Sequence, residues 1–168
     1  GRHRDHTQGL GIFLRKFPVP VFATGKTIDA ILSDPSLGKV NPELFHSISP
    51  DQPVNINGVT VEASSIYHDA ADPVCYTFTD QESKIGAATD FGTFDDYLVE
   101  KFSGCESLLV ESNHDLNMLM VGPYPYPLKR RIMSNTGHLS NERAGQFLSK
   151  VVGEECRHIS LGHVSKEN

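Results

Sequence analysis

The chain has 168 residues, 38% of them hydrophobic, which is enough for one compact domain with its own core and too few for two comfortable ones. Its formal net charge of −6 disfavours a protein that holds nucleic acid by bulk electrostatics, although bound divalent cations would reverse the field locally. No stretch approaches the roughly 20 apolar residues that span a bilayer, and the polar start of the chain does not resemble a signal peptide. We therefore expect a single domain over residues 1–168, a cytoplasmic location and no membrane partner.

The first third of the chain alternates helix and strand. Hydrophobic side chains at helical spacing predict a helix over residues 7–17, and Pro18 ends it. A short apolar strand over residues 19–23 and a second helix over residues 27–32 follow.

The pattern changes to period two between residues 53 and 90, which predicts a run of antiparallel strands with a hairpin turn at Asn57-Gly58. Alternation then returns, with a helix at 93–102, a buried strand at 108–111, a helix from the N-cap Ser140 to about Val152, and a strand at 158–161. This order predicts an α/β fold in which polar residues collect at strand ends, where sites are usually built.

The cysteines do not indicate a disulfide framework. Their number is odd and no pair has the C-x-x-C spacing of a zinc site; they are Cys75, Cys105 and Cys156. We interpret them as buried thiols in a reducing compartment.

Histidines beside carboxylates are the most informative residues for function. The opening run brings His3, Asp5 and His6 together on a predicted tight turn directly before the first helix. Imidazole and carboxylate ligands together suit zinc, manganese or iron, and a pair of metals bridged by one carboxylate needs such a mixed set.

Three further candidates follow predicted strands, namely His68, Asp90 and His163. Each has an ordinary alternative, since a strand-end histidine is more often a surface or hydrogen-bonded residue and an aspartate there is more often a turn former. Their joint order favours metal ligation.

That order resembles the metallo-β-lactamase superfamily, in which H-x-H-x-D-H before a helix is followed by a lone His, an Asp after a strand and a late His. His3, Asp5 and His6 match the second half of the first motif, and His68, Asp90 and His163 match the later three positions. The resemblance implies an αββα sandwich, with two mixed sheets packed face to face and helices outside.

The segments 110–115, 122–131, 137–141 and 163–168 resemble the bacterial YycJ/WalJ-type branch of that superfamily. This implies a metal-dependent phosphodiester hydrolase whose partner is nucleic acid, in particular a DNA exonuclease. Gly1 stands where the first histidine of the motif is expected, and the family's N-terminal strands and C-terminal end fall outside residues 1–168. We therefore expect a domain truncated at both ends.

The resemblance also implies two divalent metal ions and a dinuclear metal-bound hydroxide as the nucleophile. The expected metal is zinc or manganese, and iron and nickel are the alternatives. One ion would be held by His3, His68 and Asp90, and the other by Asp5, His6, Asp90 and His163, so that Asp90 bridges them. Asp5 is counted among the catalytic residues as well.

A proton donor for the leaving group is implied at His138, with Glu111 as its orienting partner. The alternative for His138 is a loop histidine next to the helix cap at Ser140.

The single dense basic run is Lys129-Arg130-Arg131, which follows Tyr124 and Tyr126 on a segment that its prolines indicate to be a stiffened loop. Cations and aromatic rings interleaved in this way can grip phosphates and stack on a base, and we expect substrate binding here. The alternative is a solvated charged turn.

Two other functions stay open at this point. The fold is reused for small-molecule hydrolases that act on a thioester, a lactone or a cyclic phosphodiester. A non-catalytic binding module is the other alternative, should the first metal site be lost with its first histidine.

Overall fold

The computed structural model describes residues 2–68, 70 and 72–166, with the side chains of residues 2–5 outside that description. The chain divides into two compact units, Gly1–Pro50 and Asp51–Asn168. The expectation of one domain over residues 1–168 stays a prediction. Among the described residues, no helix is long and apolar enough to cross a membrane.

The first unit contains two helices and a small parallel sheet. Its elements are α1 (Arg2–Lys16), β1 (Val21–Thr24), α2 (Gly25–Ser33), two single-turn 3-10 helices (Pro35–Leu37 and Pro42–Leu44) and β2 (Phe45–Ile48). Strands β1 and β2 pair in parallel, with Val21 opposite Phe45. Strand β2 was not predicted, because its four residues alternate too briefly to give a period-two signal.

The prediction of a tight turn at residues 3–6 is wrong. Helix α1 begins at Arg2 instead of residue 7, so the backbone of this run is helical. Neither glycine nor proline occurs between residues 2 and 8, and nothing in this stretch therefore interrupts the helix that the later apolar residues specify.

The second unit is built on a six-stranded sheet in sequential order. Its strands are β3 (Val54–Ile56), β4 (Val59–Ser65), β5 (Val74–Thr79), β6 (Lys84–Ala88), β7 (Ser107–Glu111) and β8 (His158–Gly162). Strands β3 to β6 are antiparallel, which confirms the prediction for residues 53–90, whereas β6, β7 and β8 are parallel. Asn57 and Gly58 both have positive φ, as a type I′ hairpin turn requires.

The helices of this unit are α3 (Asp96–Phe102), α4 (Leu116–Val121), α5 (Tyr126–Met133) and α6 (Asn141–Val151). The predicted cap of α6 is confirmed, since Ser140 Oγ accepts a hydrogen bond from the Arg143 amide at 3.2 Å. The loop expected around Lys129 is wrong, because that residue lies within α5. Proline is compatible with the first turn of a helix, and Pro127 lies in the first turn of α5, where the sequence had indicated a loop.

The core of this unit centres on Phe147 of α6, which is fully buried. Its ring lies 5.7 Å from that of Phe91, 5.1 Å from Phe94 and 5.9 Å from Phe102, measured between centroids. Phe91 directly follows Asp90, so this packing fixes the chain at the end of β6, where the candidate site begins.

Candidate metal centre

The parallel strands β6, β7 and β8 bring three of the candidate side chains, Asp90, Glu111 and His163, to one edge of the sheet. Ala88, Val110 and Leu161 are aligned across these strands. Asp90 and His163 each lie two residues beyond this row, whereas Glu111, on the middle strand, lies one residue beyond it. The register therefore places Glu111 between Asp90 and His163 and one residue closer to the sheet.

Asp90 and His163 share an uncommon backbone conformation. Their φ angles are 59° and 55°, in the left-handed region that few residues other than glycine adopt. Such a conformation costs on the order of 1–3 kcal/mol and persists only where the surrounding structure holds it, often at functional sites. Oδ1 of Asp90 lies 3.7 Å from Nε2 of His163.

Glu111 joins two histidines through one buried oxygen. Its side chain is fully buried, and Oε1 accepts hydrogen bonds from Nδ1 of His138 at 2.6 Å and from Nδ1 of His163 at 2.7 Å. The other oxygen, Oε2, accepts from the backbone amides of Phe91 at 3.1 Å and Leu139 at 3.4 Å. All lone pairs of this carboxylate therefore face a donor.

The charge state of Glu111 follows from these contacts. Burial alone would raise the pKa of the carboxyl, but the hydrogen bonds from His138 and His163 outweigh it and lower the pKa to about 2. Glu111 is thus a carboxylate at neutral pH. A carboxylate that accepts at Nδ1 keeps a proton on that nitrogen, and the Nε2 atom of each neutral histidine then carries the lone pair that a metal needs.

His68 is oriented in a similar way by a backbone group. Its side chain is only 6% exposed, and Nδ1 lies 3.0 Å from the carbonyl oxygen of Gly137. Because a carbonyl oxygen only accepts, Nδ1 donates and the lone pair of the neutral ring is on Nε2, which lies 3.9 Å from Oδ1 of Asp90. The ring of His138 lies 5.5 Å from that of His68 and 5.0 Å from that of His163.

These side chains fit a divalent transition metal. Asp90, His138 and His163 each offer a ligand atom, and the three atoms lie within 4.8 Å of one another. Imidazole nitrogens with a carboxylate oxygen suit zinc, manganese, iron or nickel, and the bonds to Glu111 are the outer contacts that metal-bound histidines usually make. The sequence indicated His138 as a proton donor only, so its place in this cluster was missed.

The first half of the predicted ligand set is described only in part. The side chains of His3 and Asp5 lie outside the described residues, and His6 is an exposed residue of α1 in the first unit. Their part in metal binding stays a prediction.

The basic run lies on the helix that leads into the His138 loop. Arg130 and Arg131 are exposed, and Nζ of Lys129 donates to the carbonyl oxygen of Met120 at 2.7 Å. The backbone amide of His138 donates to the carbonyl oxygen of Ile132 at 3.0 Å, which ties this helix to the site.

Two tyrosines precede that run. Tyr126 is 65% exposed, whereas Tyr124 is half-buried, with its hydroxyl 3.5 Å from Oγ of Ser165. Ser165 is two residues beyond His163, so the tyrosine segment borders the same loop as the candidate ligand. Substrate contact by either tyrosine stays a prediction.

Comparison with known proteins defines the class. Residues 1–157 match the family model described as the β-lactamase superfamily domain. The chain therefore belongs to this superfamily. Its fold is the expected one, since it superimposes on the metallo-β-lactamase fold protein YhfI from Bacillus subtilis with a TM-score of 0.61 at 16% identity, covering 89% of this chain and 53% of that one.

The more specific resemblance is confirmed by two curated relatives. The chain is 36% identical over 166 residues to the exodeoxyribonuclease YycJ of Bacillus anthracis, a match that covers 99% of this chain and 62% of the relative. It is 33% identical, with the same coverage, to the exodeoxyribonuclease WalJ of Streptococcus pneumoniae serotype 2. The chain thus spans 62% of the length of these relatives.

Proposed function

We propose that this chain carries the catalytic core of a metal-dependent phosphodiester hydrolase, specifically an exonuclease that acts on DNA in the cytoplasm. The observation that carries the proposal is the cluster in which one buried carboxylate, Glu111, orients His138 and His163 beside Asp90. The names of the two curated relatives support DNA as the substrate.

The proposal includes two bound divalent ions. The expected metal is zinc or manganese, and iron and nickel are the alternatives. His3, His68 and Asp90 would hold one, and Asp5, His6, Asp90 and His163 the other. When bound, such ions lower the pKa of water and neutralise charge on the phosphoryl oxygens.

His138 supplies the proton that the leaving alkoxide requires. With Nδ1 held by the Glu111 carboxylate, the ring accepts a second proton on Nε2, and the negative charge of Glu111 stabilises the resulting imidazolium. Transfer of the Nε2 proton to the leaving oxygen returns the ring to its neutral form. The same Nε2 atom cannot be a metal ligand and a proton donor at once, so the two roles exclude each other.

Helix α5 and the tyrosines before it hold the substrate in this proposal. Lys129, Arg130 and Arg131 would contact backbone phosphates, and Tyr124 and Tyr126 would stack on a base. An exposed aromatic ring next to cations is what a single-stranded end of DNA binds well, because its bases are not stacked on a neighbour.

The first experiment tests the metal cluster. Asp90→Ala and His163→Ala should each abolish cleavage of linear DNA in the presence of Mn²⁺ or Zn²⁺. Asp29→Ala and His158→Ala are the matched controls, since both residues are exposed and neither belongs to the cluster, and they should cleave as the parent does. Cleavage that persists in both cluster variants would end the proposal.

The second experiment tests the substrate class. Replacing Lys129, Arg130 and Arg131 together by alanine should weaken DNA binding and reduce its dependence on salt concentration. A control chain removes the same charge at three other exposed positions, Lys39, Lys150 and Arg157. Equal DNA binding by the two chains, with cleavage of a small ester retained, would favour a small-molecule hydrolase.

A third experiment measures the metal content of the purified parent chain. Fewer than one equivalent of bound transition metal in the parent chain would favour a non-catalytic module.

A further inference from the structure

The segment directly after β7 contacts both loops that carry the site histidines. The backbone amide of Asn113 donates to the carbonyl oxygen of Leu139 at 2.9 Å, beside His138. Its own carbonyl oxygen accepts from the amide of Ser165 at 2.8 Å, beyond His163. The main chain of one residue therefore joins the two loops.

The peptide groups on both sides of His163 are held by this segment. The carbonyl oxygen of Gly162, before His163, accepts from the Ser112 amide at 3.1 Å. The carbonyl oxygen of His163 itself accepts from Nδ2 of the Asn113 side chain at 2.7 Å. Since the two peptide planes set the φ and ψ angles of His163, these bonds stabilise its left-handed backbone and thereby the direction of its side chain.

The Asn113 amide is oriented in turn by His114. Nδ1 of His114 lies 3.3 Å from Oδ1 of Asn113, and the histidine is only 1% exposed. Burial lowers the pKa of His114, so the ring is neutral near pH 7 and carries one proton. With that proton on Nδ1, it donates to Oδ1, which leaves Nδ2 directed at His163.

The unpaired atom of His114 agrees with this tautomer. Nε2 is buried and has no hydrogen-bond partner within the described part of the chain. An unpaired N–H on that nitrogen would leave a buried donor unsatisfied, and it would also put a bare Nδ1 lone pair against Oδ1 of Asn113. Protonation at Nδ1 avoids the repulsion, because a donor then faces the acceptor.

We propose that Asn113, with its amide oriented by His114, is a positioning residue that holds His163 in the left-handed conformation from which its Nε2 faces Asp90. The inference rests on the proposed function only in so far as His163 is a metal ligand. It assigns a task to two buried polar residues that take no part in the proposed reaction.

Two variants of Asn113 test it. Asn113→Asp keeps the shape but loses the donor, and Asn113→Ala removes both polar atoms. We expect each to lower the affinity for Zn²⁺ about tenfold or more, measured by competition with a chromophoric chelator, as loss of outer contacts to a ligand usually does. In the metal-free protein, the NMR signal of the Nδ1 proton of His163 should shift, while that of His138 stays closer to its parent position.

Asn141→Asp is the matched control. Its Oδ1 accepts from the Ser112 hydroxyl at 2.6 Å, and an aspartate at this position keeps that acceptor while adding the same charge as Asn113→Asp. We expect its zinc affinity and His163 signal to stay at the parent values.

A third test variant, His114→Leu, keeps the inference testable if the two Asn113 variants do not fold. Leucine fills a buried position without an unpaired polar atom, so the fold should be kept while the Asn113 amide loses its orienting partner. An unchanged zinc affinity and His163 signal in all three variants would overturn the inference, whatever happens to stability. If these readouts change although the parent chain does not cleave DNA, the inference stands and the proposed function fails.

Discussion

Asp90 and His163 face each other across strand β7, with Oδ1 of the aspartate 3.7 Å from Nε2 of the histidine. This distance is too long for a good hydrogen bond and is close to the separation of two atoms that coordinate one tetrahedral ion. Both residues leave their strands in the left-handed conformation. The backbone conformation of both residues thus helps to direct their side chains toward each other.

The first prediction concerns the pH dependence of stability. The pKa of Glu111 is lowered in the folded state from 4.5 to about 2, so its stabilising contribution is complete above pH 4.5 and is lost as the pH falls towards 2. Glu111→Gln should destabilise the metal-free protein at pH 7 by roughly 3 kcal/mol, because His138 and His163 lose the buried charged acceptor that both share. Urea unfolding at several pH values should show the parent and the variant converging below pH 4.5. A constant difference down to pH 2 would contradict the assigned charge.

A second prediction separates the two roles of His138. As a proton donor it should be dispensable for metal binding, so that His138→Ala keeps the parent affinity for Zn²⁺ and loses about 10²–10⁴-fold in DNA cleavage. A phosphodiester with a nitrophenolate leaving group needs no proton and should be cleaved by this variant with a much smaller loss. Zinc affinity that falls as far as in His163→Ala would instead make His138 a ligand.

The third prediction uses two glycines of the second unit. A Cβ atom at Gly137 would lie 2.2 Å from the carbonyl oxygen of Arg131 and 2.3 Å from that of Ile132, both backbone atoms of α5. Gly137→Ala should therefore destabilise the protein by about 1–3 kcal/mol and displace the His138 loop. Gly145→Ala is the control, since a Cβ there meets nothing within 4 Å on helix α6, and it should stabilise by about 0.4–1 kcal/mol. Urea unfolding of both variants measures the difference, and similar effects would refute the close packing at Gly137.

A fourth prediction concerns the thiols, which are all free. Cys75 and Cys105 are buried, and burial raises the pKa of both, whereas Cys156 is half-buried. A thiol reagent should therefore modify Cys156 first in the native protein and the other two only after unfolding, as peptide mass spectrometry would show. Loss of metal binding on modification of Cys156 alone would show that a thiol matters to the site.

The sequence predicted those features that depend on local patterns. The antiparallel strands between residues 53 and 90 follow from alternation and from the turn at Asn57-Gly58, and helix α6 follows from its Ser140 cap. Helix α5 was not predicted, because proline is common both in the first turn of a helix and in loops, and the sequence alone does not distinguish the two positions.

For the site, the pairing of Glu111 with His138 was expected from the family resemblance and is present. The second bond of Glu111, to His163, was not expected. It depends on the parallel register of β7 and β8, whose residues are about fifty positions apart, and such long-range alignment leaves no periodic signal. The left-handed backbone of His163 was not predicted either, because the contacts of Ser112 and Asn113 that hold it also join residues about fifty positions apart.

The alignment of Asp90, Glu111 and His163 on adjacent strands also determines which changes in chain length the family can accept. Inserting or deleting one residue within β6, β7 or β8 would move the group beyond it by about 3.3 Å and turn it to the opposite face of the sheet. Segments that start and finish away from these strand ends carry no such restriction. Length variation among relatives should therefore be absent from the last residues of these strands, from residues 112–113 and from the His138 loop, and should occur in segments such as residues 152–157, between α6 and the start of β8.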